Sequence, residues 1–431
     1  MPITKGQFVL GTTAVLTAAI TVSGVGILSH SQAFLKESPK ELVDEVWQIV
    51  DRRFVDAAFN QVDWKAVRTE YLKREYPSQE SAYGAIREML KRLGDPYTRF
   101  MDPKEYKNMQ IDTSGELTGV GIQLSQDEKT KNLVVISPIE DTPASKAGIQ
   151  SKDIITKIDG KTTTGMDSNQ AVNLIRGPVG TTVTLTIQRG TDVLEFRLQR
   201  ARIEIHPVRS SYRTDLSGGV GYIRLVQFSA NAAKEMRDAI QGLEKRRVTG
   251  YILDLRSNPG GLLQASVEIA EMWIREGAIV STVDRRGEVD RQVANRRNLT
   301  DKPVVVLVNG GSASASEILS GALQDNKRAL VVGTKTFGKG LIQSVQPLGD
   351  GSAMAVTIAK YLTPNGRDIN KHGIDPDVSL ELTEEQLKQL IADRDRIGTL
   401  TDPQYLKALE TLKTEIALIK KRTASTGAMA R

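Results

Sequence analysis

The 431-residue chain is 39% apolar and 26% charged, with 58 Lys and Arg against 52 Asp and Glu and a formal net charge of +6. That is the balance of a globular protein long enough for two to four domains, and the absence of any long basic block argues against nucleic-acid binding. The chain contains no cysteine, which excludes disulfides, thiolate zinc sites and a cysteine nucleophile.

Lys5 is followed by residues 8–28, a stretch of 21 residues without charge. Ser31-Gln32-Ala33 then fits the small-x-small cleavage pattern of a secretory signal. Cleavage after Ala33 is the preferred reading of residues 1–33. The rival is an uncleaved membrane anchor, since the run is long enough to span a bilayer, although its Thr, Ser and Gly content weakens that case. Either way the rest of the chain is expected to be exported, with membrane association only through this segment.

Residues 38–112 read as a helical domain. Leu42, Val43, Val46, Ile49 and Val50 recur at helical spacing, and residues 64–76 and 78–93 have the same character. Gly94-Asp95-Pro96-Tyr97 breaks the pattern. Residues 115–201 change to short β-like runs punctuated by Gly148 and Gly160, with one short amphipathic helix near 167–175. Gly119-Val120-Gly121-Ile122, then Pro143 to Ile149 and Asp153-Ile154-Ile155, resemble a PDZ domain. Successive backbone N–H groups at residues 119–122 can hold a peptide's terminal carboxylate while the peptide adds a strand to the sheet edge. The plainer reading of Gly119 and Gly121 is a tight turn; the downstream pieces favour recognition.

From residue 204 strands and helices alternate, which predicts an α/β core. Strands are expected at 219–225, 250–255 and 304–308, and helices at 230–245 and 265–276. The apolar strand 304–308 ends at Asn309-Gly310-Gly311, a turn signal, and Ser312-Ala313-Ser314-Ala315-Ser316 leads into a helix over 317–324. A serine at a sharp strand-to-helix turn is well placed as a nucleophile, though helix capping is the common role of serines there. Of the three histidines, His30 lies in the leader, and His206 and His372 sit in no catalytic motif. The other base available is a lysine kept neutral by burial, and Lys339, between Gly338 and Gly340, is the candidate. In a strand Lys339, Leu341 and Gln343 would share a face. Residues 333–339 also fit the start of a phosphate-binding loop, but Gly340 stands where Ser or Thr is needed and a strand follows where a helix is required.

Ser314, Glu317, Lys339 and Gln343 together resemble the core motif of the carboxyl-terminal processing peptidases, and the resemblance runs from about residue 41 to about 382. It implies a multidomain α/β protein with a helical cap, a PDZ domain and a crotonase- or ClpP-like peptidase core. The domains would be 1–33 (leader), 38–112 (cap), 115–201 (PDZ), 202–382 (core) and 383–431 (a helical tail, ordered to Thr423). The implied activity is a cofactor- and metal-free serine endopeptidase with a Ser314–Lys339 dyad, oriented by Gln343, acting on proteins or peptides with free C-termini. Ala315 and, by resemblance, Gly260 in the turn 254–261 supply the oxyanion hole. Asp325 falls on the family's older charge-relay position, but it stands about three turns, or roughly 16 Å, along the helix from Ser314, so it and Glu317 are also read as structural. Residues 363–377 are read as supporting turns. The wording of the motifs resembles the cyanobacterial and plastid branch, some members of which trim the photosystem II D1 precursor. The alternative is a PDZ adaptor with an inactive peptidase domain. Nothing in the sequence sets the oligomeric state.

Overall fold

The computed structural model describes residues 38–127, 130–139, 141–287 and 289–429; the expected leader, with His30, lies outside them. Helix α1 (Pro39–Arg53) starts at a capping box. The Ser38 hydroxyl accepts the Glu41 N–H, the Glu41 carboxylate accepts the Ser38 N–H, and Pro39 opens the first turn. Asp63 caps α2 (Trp64–Leu72) and Ser78 caps α3 (Gln79–Lys91). The apolar stripe of α1 is buried against Trp64, Tyr71, Ile86 and Met89. Trp47 and Trp64 stack with ring centroids 6.3 Å apart, and each indole N–H donates to the other residue's carbonyl, at 2.7 and 3.3 Å. One strand interrupts the stretch expected to be helical. Arg99–Met101 pairs antiparallel with residues 353–355, and three residues are too few to display an alternating pattern. Helix α4 (Pro103–Ser114) follows.

Residues Gln110–His206 form a compact unit of their own. Its sheet runs in the order Ile122–Gln126, Leu133–Pro138, Ile154–Ile158, Thr182–Arg189, Asp192–Gln199, all antiparallel, with Lys161–Thr162 paired to Ile154–Ile158. Val135, Ile155, Ile158, Val183, Leu185 and Ile187 fill its core with Ala144 from α5 (Pro143–Lys146) and Ala171 and Ile175 from α6 (Ser168–Ile175). The 2.0-residue period of Thr182–Arg189 sends Val183, Leu185 and Ile187 inward.

The other unit carries a six-stranded sheet in the order Val208–Arg213, Val220–Leu225, Gly250–Asp254, Val304–Val308, Ala329–Gly333, Val378–Ser379. The first pair is antiparallel and the rest are parallel. Both faces are covered, so the strand Val304–Val308 is apolar at every position. Val304, Val306 and Val308 face the core that holds α7 (Ala232–Lys245), α8 (Leu263–Trp273) and α9 (Ala315–Asp325). Val305 and Leu307 face the opposite core. After α10 (Glu384–Ala392), helix α11 (Pro403–Met429) covers that second face with Tyr405, Ala408, Leu409 and Leu412. Burying each of the large ones stabilises by roughly 1.5–3 kcal/mol, so the tail is part of the fold, and its helix continues past Thr423, where order was expected to stop. A second sheet is built on the long strand Ala353–Leu362. It pairs with Leu341–Pro347 on one side and with Arg99–Met101 and Ala278–Asp284 on the other, the last carrying Val289–Val293. Met354 and Val356 pack into the core of α1–α3.

Candidate active site

The strand Val304–Val308 delivers the chain into a turn that three serines stabilise differently. Ser312 is fully buried; its hydroxyl donates to Leu255 O at 2.8 Å and accepts the Asn309 N–H at 3.0 Å. Ser316, also fully buried, donates to Asn258 O at 2.9 Å. Ser314 is half-buried and lines a cavity of about 340 Å³. Its backbone sits at φ 55°, ψ −114°, a strained conformation for a residue with a Cβ and one that occurs at functional sites. The strain is held by Glu317, whose Oε2 accepts the Ser314 N–H at 2.8 Å, and by the first turn of α9.

Glu317 is the centre of the arrangement. It is fully buried and accepts four donors. Beside Ser314 N–H these are Lys339 N–H at 2.9 Å, Gly338 N–H at 2.7 Å and the Thr336 hydroxyl at 2.5 Å. The nucleophile turn and the lysine loop are therefore tied to one carboxylate. Thr336 in turn accepts the Ile374 N–H at 2.7 Å, and a Cβ on Gly340 would lie 2.6 Å from Asn370 N. The 363–377 segment thus backs the lysine loop at contact distance. Tyr361, buried in the long strand, bonds the Lys339 carbonyl and sits 3.1 Å from the Ser314 carbonyl. Burial, then the Glu317 charge, holds its phenol far above the ordinary range, so it keeps the proton it donates.

The Lys339 side chain lines the same cavity, with its Nζ 4.9 Å from the centre of the Tyr97 ring. Its ammonium is pushed below the ordinary lysine value, first by burial and then by the like charge of Arg99, against the opposing pull of Asp95 and Glu317. Gln343 lines the cavity too. Its amide nitrogen lies 3.5 Å from the Thr357 hydroxyl, which donates to Asp95 at 2.6 Å. The expected bond from Gln343 to Lys339 is absent from the contacts among the described residues.

The turn after Gly250–Asp254 closes the site from the other side. A Cβ on Gly260, at φ +100°, would stand 2.7 Å from Ala313 O and 2.9 Å from Ala315 N, so only glycine fits there. Ala315 opens α9, where a first-turn N–H has no partner within the helix, and it lines the cavity. The Gly260 N–H, expected as the second oxyanion donor, is instead bonded to Asn258 Oδ1 at 2.9 Å. Asn258 is fully buried; its carbonyl accepts the Ala313 N–H at 3.0 Å and its amide donates to Leu225 O at 2.8 Å. Two residues earlier, buried Arg256 bonds Asp254 at 2.6 Å and Asp402, just before α11, at 2.7 Å. Burial alone would raise the Asp254 carboxyl, but Arg256 holds it below its ordinary value.

A serine, a lysine biased toward its neutral form and an unpaired helix N–H around one cavity are the parts of a nucleophilic acyl-transfer site. The model of peptidase family S41 matches residues 219–380 and that of the PDZ domain residues 108–188. A carboxyl-terminal-processing protease of Synechocystis is 46% identical over 93% of this chain and 92% of its own length. The chain belongs to peptidase family S41. A chloroplastic carboxyl-terminal-processing peptidase of Arabidopsis thaliana is 42% identical over 78% of this S41 peptidase and 67% of its own length. A solved photosystem II D1 C-terminal processing protease superposes with a TM-score of 0.56 at 37% identity, covering 86% of this chain and all of that one. This S41 peptidase is accordingly a carboxyl-terminal-processing serine endopeptidase with a PDZ domain.

In the PDZ unit, Gly119, Val120, Gly121 and Ile122 line one groove with Leu124, Val172 and Ile175. A side chain on Gly121 would collide with Thr142, 2.3 Å away. Elsewhere in this S41 peptidase Asp325 lies at the far end of α9. It accepts the Asn365 N–H at 3.0 Å and pairs with Arg367, and it does not line the catalytic cavity. Among the described residues its side-chain contacts run to Asn365 and Arg367, not to Ser314 or Lys339. The site residues that the sequence did not single out are Tyr97, Arg99, Asn258 and Tyr361. Tyr97 lay in the Gly94-Asp95-Pro96-Tyr97 motif, whose departure from helical spacing marked only a break, and Asn258 lay in the turn 254–261 read for the oxyanion hole; Arg99 and Tyr361 carried no signal of their own.

Proposed function

We propose that this peptidase cleaves protein chains near their C-termini through an acyl-enzyme on Ser314, with Lys339 as general base. The Ser314 hydroxyl gives its proton to neutral Lys339 as its oxygen bonds the scissile carbonyl carbon. The Ala315 N–H receives the developing oxyanion, and Gly260 joins it by exchanging its bond to Asn258 for one to that oxygen. The C–N bond breaks as the Lys339 ammonium protonates the leaving amine. Water then attacks the ester, Lys339 takes its proton, and that proton returns to the Ser314 oxygen. Gln343 orients the lysine when substrate fills the cavity, while Asp325 and Glu317 are structural. The carrying observation is the single carboxylate, Glu317, that binds the backbone of both Ser314 and Lys339.

Residues 119–122 are proposed to hold the substrate's terminal carboxylate. The two-faced parallel sheet with α7–α9 supports a ClpP- or crotonase-like core, with 38–112, 115–201, 202–382 and 383–431 as the domain plan. The D1 precursor named for the solved relative is the candidate substrate, and the cyanobacterial and chloroplastic relatives favour a periplasmic or thylakoid-lumen location. Purified Ser314→Ala protein should keep its fold and lose cleavage of an unstructured C-terminal tail by at least a thousandfold, well beyond Ser312→Ala or Ser316→Ala. Turnover by Ser314→Ala near the wild-type rate would end this reading.

A further inference from the structure

The catalytic cavity holds a second basic side chain that makes and breaks no bond in the proposed hydrolysis. Arg99 is placed by the register of its short strand, opposite Ala355, and lines the cavity with Ser314 and Lys339. Among the described residues no carboxylate lines that cavity, and none pairs with the Arg99 side chain. The two nearest acids in sequence are already committed: Asp102 pairs with Arg87 at 3.2 Å, and the Asp95 oxygens accept the Tyr97 N–H at 3.0 Å, the Thr98 hydroxyl at 2.6 Å and the Thr357 hydroxyl at 2.6 Å. The remaining wall is largely apolar, with Met101, Leu263, Ile318 and Val345.

A guanidinium is a fixed fork of donors that always carries charge, matched to a carboxylate. Arg99 is exposed, so an arriving anion can reach it, and with no internal counter-ion its charge is open to that anion, although solvent and salt screen the pair. We propose that Arg99 is a specificity-determining residue that binds a carboxylate of the substrate close to the scissile bond. This rests on the Ser314–Lys339 reading of the same cavity. Two sources of that carboxylate fit: an acidic side chain flanking the bond, or the chain terminus of a short leaving segment. The like charge of Arg99 also helps to keep Lys339 neutral, so its loss slows cleavage of acid and amide substrates alike, and the test is read as a ratio between substrates.

The experiment walks one Asp, with Asn as its control, through the three positions on each side of the cleaved bond in a peptide of constant length and free C-terminus. A second series ends one, two or three residues after the bond, as free acid or amide. Each pair is cleaved by wild type, Arg99→Gln and Arg99→Lys, and the acid-to-amide ratio of kcat/KM cancels any general effect on Lys339. The expected result is a ratio of about tenfold or more at one or two neighbouring positions of one series, falling within twofold of unity in Arg99→Gln and partly kept in Arg99→Lys. The series that responds identifies the source. A ratio under twofold everywhere in wild type, or a ratio that survives Arg99→Gln, would overturn the proposal. Ser314→Ala run on the same peptides separates the outcomes: cleavage by that variant would sink the dyad whatever the Arg99 ratios show.

Discussion

Lys339 illustrates how a single environment sets both chemistry and stability. Burial and Arg99 lower its pKa in the folded chain, whereas the unfolded chain keeps a value near ~10.4. Between those values the unfolded state binds more protons, so stability rises with pH there. The cost of Lys339 is therefore full below its folded pKa and vanishes above the unfolded one. Lys339→Met should raise the melting temperature at pH 7, and the gain should shrink on approach to pH 10; an equal gain at both would contradict the assignment. Glu317 is the reverse case, a buried group with every partner in place. Glu317→Gln sets an amide N–H against backbone donors and should cost ~1–3 kcal/mol for each group left unpaired, read from urea unfolding, with at least a hundredfold loss of kcat/KM. The spacing of Ser314, Glu317 and Lys339 was legible in the sequence, but what Glu317 does was not. Its four donors come from two stretches of chain, Ser314 and residues 336–339, that only the fold brings together. Gly260 was legible as a residue that must be glycine, while the state of its N–H depends on a side chain, Asn258, whose orientation no spacing encodes.

At the scale of elements, the strands and helices of the parallel sheet were readable because both faces are covered and the strands are apolar throughout. The second sheet was not. Ala353–Leu362 is ten residues long and mostly buried, yet it includes Thr357, Lys360 and Tyr361, and no period-2 pattern stands out. Arg99–Met101 is defined only by its partner. Helix α11 was visible as a charged, helix-prone tail, but its buried attachment was hidden, because Asp402 meets Arg256 across 146 residues of sequence. That attachment gives a prediction at this scale. Asp402→Ala leaves Arg256 with half of its carboxylate partners in the buried cluster and should destabilise by ~3 kcal/mol, measured as a shift of the urea midpoint. Because Arg256 lies in the turn that shapes Gly260, kcat/KM should fall as well, and full activity with unchanged stability would show that the tail is not coupled to the site.

On the scale of the molecule, the PDZ unit and the peptidase unit each fill a core of their own, and each is proposed to bring a separate recognition surface. The groove at residues 119–122 predicts that a peptide with a free, apolar C-terminus binds the isolated interaction more tightly than its C-terminal amide, by fivefold or more in a titration with Ser314→Ala protein; equal binding would remove the carboxylate from the account. The whole-chain reading was the most legible part of the sequence, since the peptidase and PDZ motifs stand at separated positions and each is specific. What the sequence could not supply was the cavity wall, drawn from Tyr97 and Arg99 at one end of the peptidase unit's chain and Ser314 and Lys339 at the other. The central claim, that a neutral lysine activates Ser314, is tested most directly by the pH profile of kcat/KM for wild type beside Lys339→Arg. The account predicts a wild-type rate that rises through one ionisation below the free-lysine value, facing Arg99, Asp95, Glu317, Tyr97 and Tyr361, and no measurable activity for Lys339→Arg at any pH, because a guanidinium cannot accept the proton. An active Lys339→Arg enzyme, or a wild-type rate that falls from neutral to alkaline pH with the fold intact, would contradict it.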